Sequence, residues 1–172
     1  MPAGRLETIY LHWSGGDYTT LYPAYHFCVA SIAGSGPLVY ATHRLEANMR
    51  DVRAEPDSPY AAHTRGRNSF AIGISAMCMQ QAAPADFGPY PLTLDLIDGL
   101  CRVAKVLADF YRIPIQAETI MTHAEAACID GYFGSGQEER WDIARLRTSQ
   151  RPLVESDALA VGGILRAKIE NS

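Results

Sequence analysis

An unbroken run of apolar and small residues at positions 70–77 restricts the fold more than any other segment of this chain. The run reads FAIGISAM, so apolar and polar side chains do not alternate along it. A strand of this kind is covered on both of its faces, as in the middle of a sheet that has layers packed on either side. The run therefore predicts a buried strand at a central position of a covered sheet.

Several shorter segments have the composition of further strands. Between two of them lies AGSGP at 33–37, and a connection this rich in glycine predicts a hairpin. The predicted strand that ends at residue 122 is followed at once by His123, and His12 is the last residue but one of the first predicted strand. The predicted strands besides 70–77 cover residues 8–13, 25–32, 38–42 and 119–122.

Helices are predicted in the second half of the chain. Thr93 is a suitable N-cap, and apolar residues then recur at helical spacing over residues 94–111. A helical turn is expected after Asp142. A second helix is expected over residues 157–169, although two adjacent glycines within it weaken that prediction by about 1 kcal/mol each.

The order of these elements predicts an α/β fold, with one mixed central β-sheet flanked by helices. The length of 172 residues and the hydrophobic fraction of 48% suit one ordinary domain with a full core. We expect residues 1–147 to form this domain and residues 148–172 to form a C-terminal tail that packs on it as a helix. A monomer is expected.

Charge and hydropathy exclude two classes of partner. The formal net charge is −4, and the only lysines are Lys105 and Lys168, whereas nucleic-acid binding needs clustered basic residues. No apolar stretch approaches the roughly 20 residues that cross a bilayer, so membrane insertion is not expected. The first five residues lead into a strand without a long apolar segment, which predicts synthesis in the cytoplasm without a signal peptide.

Three separated polar residues lie on or beside apolar runs. His12 is near the end of the first strand, His123 follows the strand over 119–122, and Asp142 lies within ERWD at 139–142. Imidazole nitrogens and a carboxylate oxygen are donors that zinc accepts, and three protein ligands with one open position make a catalytic site. A strand end also delivers its side chain to a cleft edge, where open sheets bind ligands. If these residues converge, the chain is a metal-dependent hydrolase.

Six short motifs occur in a fixed order and resemble those of one known family. The resemblance is to the zinc-dependent N-acetylmuramoyl-L-alanine amidases, which include bacteriophage amidase lysozymes and the peptidoglycan-recognition proteins. It extends over roughly residues 7–146 and implies the fold of that family. The motifs are LHWS at 11–14, YHF at 25–27, AHTRGRNS at 62–69, AIGIS at 71–75, THAE at 122–125 and RWD at 140–142.

The resemblance implies a Zn²⁺ site with three protein ligands. The histidine of the first strand matches His12, and the histidine after the later strand matches His123. In this family the third ligand is a cysteine or aspartate further along, and Asp142 is the best match. Cys128 and Glu125 are competitors because they follow His123 closely.

The resemblance also implies catalytic and substrate-contacting residues. Tyr25 matches a tyrosine that lines the site, and Arg140 stands where relatives carry a lysine near the third ligand. An arginine can stabilise an oxyanion but does not deprotonate, so it is a poor general acid. His63 matches a residue of the substrate groove. Arg67, like its neighbour Arg65, could meet carboxylates of the stem peptide through charge-assisted hydrogen bonds.

Other positions leave alternatives open. Trp13 could stack on a sugar or lie in the core. His26 is expected to be structural and to face away from Tyr25 if both belong to a strand, and His43 is expected to be solvated. Some relatives carry a glutamate that assists catalysis where this chain has Ser75, so no general base is assigned.

The function that the resemblance implies is hydrolysis of the amide between the lactyl group of N-acetylmuramic acid and the first L-alanine of the stem peptide. Peptidoglycan or a soluble muropeptide is then the partner. A phage or prophage endolysin acting on the bacterial cell wall is the first expectation. The alternatives are a cytosolic muropeptide-recycling amidase, an effector amidase and a peptidoglycan-binding module without hydrolysis.

Overall fold

The computed structural model describes residues 5–32, 36–134 and 141–172. Within these residues the chain is one α/β domain with a mixed five-stranded sheet and three α-helices. The strands are β1 (Thr8–Trp13), β2 (Phe27–Ile32), β3 (Gly36–Ala41), β4 (Ala71–Ala76) and β5 (Ile120–Thr122). The helices are α1 (Leu94–Tyr111), α2 (His123–Ile129) and α3 (Glu155–Glu170), and a short 3-10 turn covers Leu45–Asn48.

The strand order is β3-β2-β4-β1-β5, so the apolar run predicted at 70–77 is the central strand β4. Every residue of β4 is buried, which confirms the expectation of a strand covered on both faces. β2 and β3 pair antiparallel as the predicted hairpin, while β4 pairs parallel with both β2 and β1, and β1 pairs parallel with β5. The fold class predicted from the sequence is confirmed.

The two faces of the sheet have different contents. One face carries the main core, to which β1 contributes Ile9, Leu11 and Trp13, and against which α1 and α3 pack. The other face carries Tyr10 in a small cluster with Ala71, Met121 and Ala126. Because side chains alternate along a strand, His12 lies on the same face as Tyr10 and opposite to Trp13.

Helix α1 begins and ends as predicted. The Thr93 hydroxyl accepts a hydrogen bond from the Leu96 N–H at 3.3 Å. The helix ends at Tyr111, and the next residue, Arg112, adopts a left-handed conformation with φ of 57°. Such a conformation at the residue after the last turn is a common way to stop a helix.

Helix α2 was not predicted. It begins directly after β5, because the Thr122 side chain accepts from the Glu125 N–H at 3.1 Å and the Glu125 carboxylate accepts from the Thr122 N–H at 2.9 Å. This reciprocal pair is a capping box, which satisfies two backbone donors at a helix start.

Residues after Asp142 form a turn, in which the Ala144 N–H bonds to the Trp141 carbonyl at 2.8 Å, and not a helix.

Helix α3 covers more than the predicted residues 157–169. Its buried side chains, Ala158, Val161, Leu165 and Ile169, belong to the main core. A Cβ atom added at Gly162 would lie 2.0 Å from the carboxyl carbon of Glu125, so this glycine permits close packing of α3 on α2. Among the described residues, no helix combines the length and apolar character that a membrane span requires.

Candidate metal centre

The parallel strands β4, β1 and β5 bring their carboxyl ends to one edge of the sheet. His12 is the penultimate residue of β1, in register with Ser75 of β4. Thr122, the last residue of β5, is in register with Leu11, and His123 follows it as the first residue of α2. Two imidazoles that are 111 positions apart in the sequence thus become neighbours, with ring centroids 4.8 Å apart.

Asp142 completes a three-residue cluster with these histidines. Its Oδ2 atom lies 3.4 Å from His12 Nδ1 and 3.0 Å from His123 Nδ1, and one donor atom from each residue lies within 4.8 Å of the others. Bonds of about 2 Å to a tetrahedral ion place donors about 3.3 Å apart. His12, His123 and Asp142 could therefore hold a metal ion.

The backbone and the surroundings of Asp142 fix its position and its charge. Its carbonyl accepts a hydrogen bond from the Ala124 N–H at 3.1 Å, which ties this segment to α2. Burial raises the pKa of Asp142, but the interactions of the carboxylate with His12 and His123 outweigh that effect and hold the pKa well below its ordinary value. The site is thus a partly buried carboxylate between two buried imidazoles.

The two competing ligands lie elsewhere. The Glu125 carboxylate is buried and forms two hydrogen bonds with the Arg166 guanidinium, at 2.9 and 3.0 Å, in addition to capping α2. Cys128 packs against the main core, and burial raises the pKa of its thiol to about 11. Neither residue joins the cluster of His12, His123 and Asp142.

A second layer of polar residues lies behind His12. The Thr64 hydroxyl is 3.3 Å from His12 Nε2 and 2.9 Å from His63 Nδ1, and all three side chains are buried. The His63 ring lies directly against Gly73 of β4, where an added Cβ would be 2.4 Å from the His63 Cγ atom. Neither Thr64 nor Gly73 is among the site residues predicted from the sequence, although a glycine inside a buried strand is a signal of close approach.

All five histidines of the chain form one continuous row of neighbouring rings. From His123 the row passes through His12, His63 and His26 to His43, with centroid separations of 4.8, 5.5, 5.7 and 6.1 Å. Burial lowers the pKa of His63 well below its ordinary value, and the neighbouring imidazoles lower it further. Burial likewise lowers the pKa of His26 to about 4, with His43 adding to the effect.

The predicted strand over residues 25–32 is too long, and this changes the interpretation of its first two residues. β2 begins at Phe27, so Tyr25 and His26 precede it and need not face opposite sides. The Tyr25 ring lies 5.1 Å from the His12 ring, and its hydroxyl donates to the Trp13 carbonyl at 3.4 Å. His26 also faces the row of histidines. His43 is half-buried and its Nδ1 atom is buried, so the residue predicted to be solvated is only partly exposed.

The side chains of two residues predicted to contact substrate instead make contacts within the protein. Trp13 is 5% exposed in the main core, where its ring lies 4.6 Å from that of Trp141, so a sugar-stacking role does not fit its position. Arg67 forms a two-pronged ion pair with Asp130, at 2.6 and 2.7 Å. Its guanidinium therefore ties the 62–69 loop to the end of α2. The predicted catalytic Arg140 lies outside the described residues.

Arg65 and His63 differ in how accessible they are. His63 is 6% exposed and lies beneath His12, so its ring is packed inside the loop. Arg65 is exposed, and its guanidinium lies 5.6 Å from the centre of the Tyr132 ring, which in turn is 6.1 Å from His123. The positive charge of Arg65 thus lies one aromatic ring away from the candidate ligand His123.

A search against models of protein families and a search of curated proteins each find no match to this chain. The geometry of the cluster itself is therefore what indicates its chemistry. Two nitrogen donors and one anionic oxygen suit a borderline divalent ion, and three protein ligands leave room for a further one.

Proposed function

We propose that this protein is a zinc-dependent amidase that cleaves the bond between N-acetylmuramic acid and the first L-alanine of the peptidoglycan stem. The convergence of His12, His123 and Asp142 carries the proposal. These three residues come from separate segments, and they are the ones that the resemblance to the amidase family assigns as ligands. Their donor atoms lie within 4.8 Å of one another.

The choice of zinc rests on the donor set. A site with two imidazoles and one carboxylate is typical of catalytic zinc in hydrolases, whereas magnesium and calcium favour oxygen donors alone. The Nδ1 atoms of both histidines face the Asp142 carboxylate, so both rings present the same kind of donor. When bound, zinc would act as a Lewis acid that activates water for amide hydrolysis near neutral pH.

The residues of the chain would hold and orient the substrate. The Tyr25 hydroxyl is the donor assigned to the oxyanion that forms at the scissile carbonyl, since the Tyr25 ring lies 5.1 Å from the ring of His12. Arg65 is suited to a stem-peptide carboxylate. Arg140 enters the proposal on the sequence resemblance alone.

No general base is assigned. Ser75, which stands where some relatives carry a glutamate, is fully buried and its hydroxyl donates to the Ala76 carbonyl at 3.3 Å. The buried carboxylate of Glu125 is held by Arg166. These observations favour a second candidate function, a peptidoglycan-binding module that retains the metal ligands without turnover. The experiment below separates the two.

The test is digestion of purified peptidoglycan with chelator-treated protein, with and without added zinc, followed by identification of the new chain ends. Amidase activity would release lactyl carboxyl and alanine amino ends only when zinc is present. A soluble muropeptide in parallel distinguishes an endolysin from a recycling amidase, since an endolysin would act on the polymer and a recycling enzyme on the fragment.

Matched histidine variants provide the control. His123→Ala should abolish both zinc binding and release of new ends, whereas His43→Ala, at the far end of the row of histidines, should retain both. Intact glycan–peptide linkages in the presence of zinc, together with binding to peptidoglycan, would favour the binding module over the amidase.

A further inference from the structure

We propose that Thr64 is a positioning residue that holds His12 in the one tautomer able to bind a metal. This inference rests on the proposed metal site at His12, His123 and Asp142, and it assigns a role to a side chain that does not touch the metal. The hydrogen in question is the one on His12 Nε2, the ring nitrogen that faces away from Asp142.

The two nitrogens of His12 have different partners. Nδ1 faces the Asp142 carboxylate at 3.4 Å, and Nε2 faces the Thr64 hydroxyl at 3.3 Å. A neutral imidazole carries one hydrogen, on one nitrogen or on the other. Metal binding through Nδ1 requires that the hydrogen lie on Nε2, where it needs an acceptor because His12 is fully buried. The Thr64 Oγ1 atom is placed to be that acceptor.

The hydroxyl of Thr64 must then direct its own hydrogen elsewhere. His63 Nδ1 lies 2.9 Å from Thr64 Oγ1 and can accept it. The hydrogens then run in one direction, from His12 Nε2–H to the Thr64 oxygen and from the Thr64 O–H to His63 Nδ1. In this arrangement His12 Nδ1 carries no hydrogen, so its lone pair is available to an ion held between His12, His123 and Asp142.

The loop holds both Thr64 and His63 in place before any metal binds. The backbone N–H groups of Thr64 and His63 both donate to the Asn68 side-chain oxygen, at 2.9 and 3.0 Å. The Asn68 carbonyl in turn accepts from the side chain of buried Asn48 at 2.8 Å. The His63 ring lies close against Gly73, where an added Cβ would be 2.4 Å from the His63 Cγ atom, so it has no space to move toward β4. The acceptor for His12 is therefore preorganised.

Without the Thr64 hydroxyl, the other tautomer of His12 gains the advantage. Its hydrogen would lie on Nδ1, where the Asp142 carboxylate accepts it, and that hydrogen occupies the position of the metal. Loss of a partner that orients a ligand in this way commonly lowers metal affinity about 10- to 100-fold.

The experiment measures the zinc affinity of chelator-treated protein by competition with a chromophoric chelator, for the wild type, Thr64→Val and Thr64→Ser. Valine matches threonine in shape and removes the hydroxyl, so we expect zinc affinity to fall by about 10- to 100-fold. Serine retains the hydroxyl and should restore affinity to near the wild-type value. Thr93→Val, which removes the cap of α1 far from the site, controls for loss of stability and should leave zinc affinity unchanged.

A spectroscopic signature separates positioning from general destabilisation. In the zinc-loaded wild type and in Thr64→Ser, the nitrogen resonances of His12 should show a hydrogen on Nε2 that exchanges slowly with water. In Thr64→Val, this hydrogen should exchange faster. Equal zinc affinity in the wild type and Thr64→Val, or failure of Thr64→Ser to rescue, would overturn the proposal.

The outcome is distinguishable from a failure of the proposed function. If the wild type binds zinc, Thr64→Val binds it weakly, and neither releases new ends from peptidoglycan, the amidase function fails while the role of Thr64 stands. A wild-type protein that binds no zinc would overturn both.

Discussion

Acidification should destabilise the metal-free protein through His26. This ring is fully buried, its Nδ1 atom accepts a hydrogen bond from the Gly73 N–H at 3.0 Å, and its backbone N–H donates to the Gly73 carbonyl at 2.9 Å. Burial, with a further contribution from His43, lowers the pKa of His26 from the ordinary value of 6.5 to about 4.

The direction of the effect follows from proton uptake by the two states. In the unfolded chain His26 takes up a proton as the pH falls below 6.5, whereas in the folded protein it stays neutral down to about pH 4. The unfolded state therefore binds more protons between these values, and stability falls as the pH falls. At about 1.4 kcal/mol per pKa unit, the loss from pH 7.5 to pH 5 is about 2 kcal/mol, and the complete loss is about 3 kcal/mol.

The assay is urea unfolding of chelator-treated protein at pH 7.5 and pH 5, for the wild type and His26→Asn. Asparagine places an oxygen near the position of the His26 Nδ1 atom, so the Gly73 N–H keeps an acceptor. The variant should be less stable at pH 7.5 but should lose about 2 kcal/mol less on acidification. His43→Asn should retain most of the wild-type loss. An equal loss in His26→Asn and the wild type would refute this account of the buried ring.

Three further predictions concern residues in and around the candidate site. Gly73→Ala should displace the His63 ring, because the added Cβ would lie 2.4 Å from its Cγ atom. We expect the free energy of unfolding to fall by about 1–3 kcal/mol and the zinc affinity to fall as well. Unchanged values in urea unfolding and chelator competition would contradict this. Arg166→Met should lower the free energy of unfolding by about 3–5 kcal/mol, because it leaves the 3%-exposed Glu125 without its charge partner. Joint replacement of Glu125 and Arg166 by methionine should recover part of that loss. A double variant no more stable than Arg166→Met would argue against the ion pair. Tyr25→Phe should retain zinc and slow amide cleavage about 100-fold, and a fully active variant would remove Tyr25 from the mechanism.

The sheet could be predicted from the sequence because its strands carry strong local signals. The apolar run that became β4 and the glycine-rich connection between β2 and β3 each specify their structure within a few residues. Helix α1 was predicted with its cap, since Thr93 and the apolar spacing agree. The sequence left the convergence of His12, His123 and Asp142 as a condition, and the structure brings the two histidines together because β1 and β5 are parallel neighbours.

Helix α2 was missed although the sequence contains its signal. The pattern Thr122-x-x-Glu125 is that of a capping box. The helix is short, however, and His123 was interpreted as the residue that follows a strand and not as the start of a helix. The alternation of side chains along β1 would also have placed Trp13 on the face opposite to His12, and hence in the core.

Contacts between distant segments could not be predicted from the sequence. Arg67 and Asp130 are 63 positions apart, and Glu125 and Arg166 are 41 apart. Nothing in either local pattern shows that these charges are already paired. For this reason Arg67 looked available to a substrate, and Gly162, which makes room for Glu125, looked like a defect in α3.

The long separation between the parts of the metal centre has a consequence for biosynthesis. His12 leaves the ribosome about 130 residues before Asp142, and the helix that holds Glu125 through Arg166 follows later still. A nascent chain therefore displays a single imidazole from this centre for most of its translation. The complete set of candidate ligands exists only once residue 142 has been added, so an ion that needs all three can bind only after the five described strands have been synthesised.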